Sequence, residues 1–293
     1  MWIVLAFGSA VFAGLSSILA KCGIKKTSSE VATAIRTAMV LVMAFVMVLI
    51  VGSLSGITSI PQKSWIFLVL SGFATGASWL CFFKALQLGD VNKVIPVDKS
   101  STVLTLIFAF CFFDEKVTAA KILAVLLIGV GTFLMIEKKP EAPSSDDTDG
   151  KKQTKASWLL FAVLSAVFAS LTSILGKVGI ESVESNLGTF IRTAVVLVMS
   201  WVVVFVTKKQ GDVKSITKGD FAFIVLSGLA TGASWLCYYK ALKDGLVSVV
   251  VPVDKLSILV TIGFSVFVLK EKMSAKAISG LFLIVAGTIM LLV

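Results

Sequence analysis

Ionisable side chains lie in this sequence where such groups are expensive to keep. Lys21, Arg36, Lys84, Asp98 and Lys99 fall within or at the ends of long apolar runs, and Lys177, Arg192, Lys240, Asp254 and Lys255 repeat them later in the chain. A charge surrounded by hydrocarbon needs a partner, a wet cavity or an ion path, so each is a candidate for function. Arg and Lys bring positive charge and N–H donors to a carboxylate or phosphate. Lys99, Lys255, Arg36 and Arg192 are therefore candidate substrate-binding residues, with Trp79 and Trp235 as nearby aromatic lining. Asp98 and Asp254 each directly precede a Lys. Adjacent helical residues do not face each other, so each Asp should meet another helix. There it serves either as one half of an ion pair or as a proton-coupling carboxylate. The competing reading for the cations is snorkelling to the interface. Lys99 and Lys255 lie only about six residues, roughly 9 Å, into their runs.

Other chemistries are excluded by residue type. The chain has no His, which removes His-based dyads and His metal sites. Cys22, Cys81, Cys111 and Cys237 form no C-x-x-C pair and read as packing residues. No metal or cofactor is expected. No nucleophile–base pair appears, so the chain is not expected to be an enzyme. The formal net charge of +10 would suggest nucleic acid in a soluble protein, but most Lys here lie in loops between apolar runs, where they set membrane orientation.

The elements that position these residues are membrane spans. Of 293 residues, 57% are hydrophobic and 15% charged, and the mean hydropathy is +0.99. An average soluble domain carries about 25% charged residues. Apolar runs long enough to span a bilayer fall at 2–20, 31–52, 64–86, 94–113 and 118–136, then at 158–176, 187–206, 221–242, 247–269 and 274–293. They are too long and continuous for barrel strands. The first run has no basic stretch before it and is not expected to be a cleaved signal peptide. The expected fold is all-α and integral to the membrane, with about ten transmembrane helices.

The second five runs copy the first at one constant spacing. Ile35-Arg36-Thr37-Ala38 returns as Ile191-Arg192-Thr193-Ala194, and Pro96-Val97-Asp98-Lys99 as Pro252-Val253-Asp254-Lys255. The segment from Ser71 to Cys81 returns from Ser227 to Cys237. The chain thus divides into a repeat at 1–137, a charged polar linker at 138–156 and a repeat at 157–293. An odd number of spans per repeat makes the second enter from the opposite face, the inverted-topology plan of secondary transporters. Loop charge agrees. Lys25 and Lys26 follow the first span, whereas the matching loop carries Glu181 and Glu184; Lys63 stands alone where the second half has Lys208, Lys209, Lys214 and Lys218. Taken literally, the Lys excess places both termini outside.

Within the spans, Gly72 with Gly76 and Gly228 with Gly232 form G-x-x-x-G pairs, which let helices approach closely, for static packing or as gating surfaces. Pro96 and Pro252 either begin a span or break one and free carbonyls beside the Lys. Glu115 and Glu271 lie between spans and are expected to cap or pair.

The duplicated five-span unit resembles the drug/metabolite transporter superfamily, in its EamA-type domain. Its carriers are the segment from Trp79 to Gly89, Pro96 at the start of span four, and Glu115 followed by a span containing Gly129 and Gly131. The resemblance implies a ten-span transporter; relatives of that size are drawn with cytoplasmic termini, opposite to the charge count. Span nine, from Asp254-Lys255 onward, is also similar to sugar-phosphate and nucleotide-sugar translocators of the superfamily, which implies that the basic residue there contacts an anionic substrate. The expected function is secondary active transport by alternating access of a small polar metabolite, anionic or zwitterionic, across the cytoplasmic membrane. The alternative is export of lipophilic organic cations coupled to protons through Asp98 and Asp254. The expected partners are the lipid bilayer and a small-molecule substrate, not nucleic acid; whether the chain is a monomer or a homodimer is open.

Overall fold

A computed structural model of the chain describes residues 1–23, 27–88, 94, 97–113, 115–135, 157–267 and 274–292. Pro96, the linker at 138–156, Lys25, Lys26 and Glu271 lie outside the described residues, as does the side chain of Lys21. Among the described residues every regular element is helical. In the first half these are α1 (Trp2–Gly23), α2 (Ser29–Val51), α3 (Gln62–Leu88), α4 (Ser101–Phe112) and α5 (Ala119–Leu134). In the second they are α6 (Ser157–Ile180), α7 (Ser185–Val206), α8 (Lys218–Asp244), α9 (Val247–Lys255), α10 (Ser257–Phe267) and α11 (Ala275–Met290).

Among the described residues, seven helical segments are long and apolar enough to cross a membrane, counting α9 with α10 as one span, Val247–Phe264. The expectation of ten is met in part. Helices α5 and α11 are apolar but have 16 residues each, about 24 Å of rise against a hydrocarbon core of about 30 Å. Helix α4 has 12. Outward-facing apolar side chains cover the bundle, among them Phe282 (71% exposed), Phe133 (65%) and Val198 (63%). Water would not tolerate such a surface, whereas lipid covers it.

Local signals set the helix ends. Thr118 and Ser274, at matching positions of the repeats, cap α5 and α11 by accepting from the Lys121 and Ala277 amides. Glu184 caps α7 and Thr217 caps α8 in the same way. Helix α2 ends on Gly52, at φ 70°. Its counterpart after α7 is Lys208, at φ 58°. The chain makes the same left-handed turn in both halves and then a short 3-10 helix, Ser53–Ser59 or Gln210–Ser215.

The main packing crosses between the halves. Helix α1 lies along α8 and α6 along α3, while α2 meets α7 and α5 meets α11. Each contact is therefore either matched by its repeat-exchanged partner or formed between equivalents. The glycine pairs permit this. A Cβ on Gly72 would stand 2.7 Å from the Cβ of Val195 on α7, and one on Gly228 would stand 2.6 Å from the Cβ of Met39 on α2. Gly76 and Gly232 face Met199 and Met43 likewise. Helices α5 and α11 cross at Gly131 and Gly280, where a Cβ on either would come within 2.6 Å of the other's carbonyl oxygen.

Lys208 occupies backbone space that suits glycine. Lys208→Gly is expected to stabilise the folded protein by about 0.5–1 kcal/mol, after allowing for the greater freedom of glycine in the unfolded chain. A rise in the melting temperature of the purified protein checks this; a fall would show that the Lys208 side chain contributes more than its backbone costs.

Candidate functional site

The two arginines found by spacing sit in equivalent cradles of hydroxyl groups. Arg192, on the second turn of α7, is 2% exposed. Its Nε donates to Ser71 Oγ at 2.9 Å and its Nη2 to Thr75 Oγ1 at 2.6 Å, both on α3. The guanidinium carbon lies 5.0 Å from the centre of the Trp235 ring and 4.7 Å from that of Tyr239. Its Nη1 is buried and has no hydrogen-bond partner among the described residues. Arg36 on α2 donates from Nη2 to Ser16 Oγ at 3.1 Å and to Thr231 Oγ1 at 3.0 Å, and its buried Nε is without a partner among the described residues. Gly72 and Gly228 make these cradles possible, because a Cβ on them would press on the carbonyl oxygens of Arg192 (3.1 Å) and Arg36 (3.0 Å).

The aspartates also match. Ser9 donates to Asp254 at 2.6 Å and Ser165 donates to Asp98 at 2.7 Å. Ser9 pairs in turn with Ser234 (3.1 Å), and Ser165 with Ser78 (3.3 Å). Each carboxylate does meet another helix, but through a serine hydroxyl. Among the described residues, the one ion pair is Lys240 with Asp244, on the exposed end of α8.

A cavity of about 280 Å³ opens among these groups. Arg192, Asp254, Lys255, Trp79, Trp235 and Tyr238 form its chemically distinctive walls, with small hydroxyl residues between them. Lys99, on the one turn before α4, is not among the residues that line it. Pro252 lies inside α9, so the helix begins earlier than a first-turn Pro would require. Having no N–H, it cannot bond the carbonyl four residues back. The span breaks at Leu256, whose amide reaches the carbonyls of Val253 and Asp254 rather than that of Pro252 four residues back. The first half breaks at the equivalent place, with the Ser100 amide on the Val97 carbonyl. Each break directly follows its Asp-Lys pair.

Three groups had other roles or were not foreseen. Lys177 is committed to structure, since its Nζ reaches the carbonyls of Leu242 (2.6 Å), Lys243 (2.9 Å) and Gly245 (2.9 Å) at the end of α8. Glu115 caps as expected, but on the opposite half: its carboxylate accepts from the Val247 amide at 2.8 Å and the Ser248 amide at 3.3 Å, at the start of α9. Tyr238 and Tyr239 pack edge-to-face at 5.1 Å, and the Tyr238 hydroxyl lies 2.9 Å from Ser173 Oγ. The chain has only two tyrosines, and both are in the cavity wall. They stand where the first repeat has Phe82 and Phe83, and that departure between otherwise similar repeats was the available signal.

The sequence profile of the EamA-like transporter family matches residues 1–137 and again 156–293. A Sinorhizobium protein named as an uncharacterized transporter in the cobO 3' region is 42% identical over 134 residues, which are 95% of that protein and 46% of this chain. The uncharacterized transporter YxxF of Bacillus subtilis is 24% identical over 173 residues, covering 59% of this chain and 52% of its own. One crystal structure superposes with a TM-score of 0.78 over 99% of this chain and 96% of its own, at 15% identity; this establishes the fold alone.

Glu115 holds the start of the helix that carries Asp254 and Lys255. Glu115→Ala is expected to cost about 1–2 kcal/mol, with Glu115→Gln losing less because one acceptor remains. Thermal melting of the purified variants checks this, and an unchanged melting temperature in Glu115→Ala would contradict the capping role.

Proposed function

Because this chain belongs to the EamA-like transporter family, we propose that it is a secondary transporter for a small anionic or zwitterionic metabolite, working by alternating access at the cytoplasmic membrane. One observation carries the reading. Arg192 is buried at the wall of the central cavity with Nη1 unpartnered, and among the described residues no carboxylate lies within ion-pair distance. Burying a guanidinium without a counter-charge is costly. A carboxylate or phosphate oxygen in the cavity supplies the missing acceptor and charge together. Ser71 and Thr75 fix the plane of the group in advance, so little ordering remains to be done on binding.

Lys255 adds a second positive charge to the same cavity, and Asp254 adds a negative one. Opposite charges on one wall suit a zwitterion, with its carboxylate on Arg192 and its ammonium toward Asp254. The volume of about 280 Å³ suits a small metabolite. Tyr238 and Ser173 offer hydroxyls to a further polar group of the substrate. For alternating access, the reciprocal packing of the halves supplies two interfaces of like construction, α1 with α8 and α3 with α6, that can exchange roles.

The cation-export reading is supported by Asp254 among aromatic side chains. Against it, Arg192 already occupies the faces of Trp235 and Tyr239.

Thermal melting against amino acids, phosphorylated metabolites and organic cations separates the readings through mass action. An anion or amino acid is expected to raise the melting temperature. Arg192→Gln is expected to weaken that ligand at least about 30-fold, the scale for removing one partner of a buried charge pair. A shift produced by cations alone, and lost in Asp254→Asn, would replace this reading with the export one.

A further inference from the structure

A second cavity of about 200 Å³ is lined by Thr33, Arg36, Thr37, Trp79, Thr231 and Trp235. Trp79 and Trp235 also line the central cavity, so the two indoles form the wall common to both. The second cavity is built on the same plan as the first. Its lining, carried across the repeat, becomes Thr189, Arg192, Thr193, Trp235, Thr75 and Trp79. Of these, Arg192, Trp235, Thr75 and Trp79 line the central cavity. Both guanidiniums donate from Nη2 to the equivalent threonine, Thr75 or Thr231, and each keeps one buried nitrogen without a partner among the described residues, though not the same one: Nη1 in Arg192, Nε in Arg36.

We propose that Arg36 forms a second anion subsite, for the same carboxylate or phosphate type of head group. The path through the protein would then hold two anion stations in series, separated by Trp79 and Trp235. This rests on the reading of Arg192 as an anion anchor. An anion moving between the stations passes from one guanidinium to the next, so its charge is compensated at both ends of the step. The two stations are unequal. The repeat positions that give Tyr238 and Tyr239 beside Arg192 hold Phe82 and Phe83 in the first half. The Arg36 station therefore takes the charged head but has no tyrosine hydroxyl to read the rest of the molecule, and it binds more weakly.

Selenate is a suitable probe: it is a tetrahedral oxyanion, and selenium is located by anomalous scattering. In crystals of the full chain soaked in selenate, two peaks are expected, one within hydrogen-bond distance of each guanidinium, with lower occupancy at Arg36. Arg36→Gln should remove the second peak and leave the first; Arg36→Lys keeps the charge and serves if the Gln variant does not fold. A peak at Arg192 alone overturns the second subsite and leaves the proposed function standing. A peak at Arg36 alone overturns the central anion site and with it the two stations in series. A peak that persists at this place in Arg36→Gln is an adventitious ion only and overturns the proposal. No peak at either arginine overturns both readings.

Discussion

A guanidinium almost wholly buried, with hydroxyls and aromatic faces around it and, among the described residues, no carboxylate within ion-pair distance, sets the terms for the rest of this structure. Arg192 lines the central cavity, is nearly inaccessible, and among the described residues its Nη1 has no hydrogen-bond partner. Such a group is tolerated when the surroundings hold it rigidly and when something of opposite charge visits. The ring faces of Trp235 and Tyr239 supply part of the compensation through their quadrupoles. Ser71 and Thr75 satisfy two of the donors. The Nη1 amino group, without a partner among the described residues, is the one the proposed substrate would use.

That arrangement depends on helices approaching more closely than ordinary side chains allow. Gly72 brings the backbone of α3 against the turn of α7 that carries Arg192, and Gly228 brings α8 against the turn of α2 that carries Arg36. Close approach puts Ser71, Thr75, Ser16 and Thr231 within hydrogen-bond reach of the arginines. The same serine-rich seams hold the aspartates, Ser9 to Asp254 and Ser165 to Asp98. Because these contacts join one repeat to the other, the site is a product of the interface between the halves. Glu115 extends the dependence, since a residue of the first half caps the helix of the second half that bears Asp254 and Lys255.

Much of this was legible in the sequence, because charges in apolar runs are rare and the repeat doubled each signal. Arg36, Arg192, Trp79, Trp235, Asp254 and Lys255 were visible for that reason, and all of them line one of the two cavities. The spacing of the glycines located the helix contacts, although which helices meet is decided by packing across the repeats. Depth along a span set Lys177 nearer its span end than Lys255, but did not show its partners: Lys177 reaches the carbonyls ending α8, whereas Lys255 lines the cavity. Hydropathy could not find the break at Leu256, because an apolar residue there looks like a continuing span. It also lengthened spans five and ten, whose helical parts are 16 residues. Tyr238 and Tyr239 were overlooked because likeness between the repeats drew more weight than the places where they differ.

The central claim is that a ligand held by Arg192 is exchanged across the membrane by the two repeats. Counterflow in proteoliposomes tests it most directly, with the lumen preloaded with an unlabelled ligand that binds the purified protein and a trace of labelled ligand outside. The account predicts transient accumulation of label above the equilibrium level, lost in Arg192→Gln protein that remains folded and inserted. Tight binding by Arg192 with no exchange of label would contradict it.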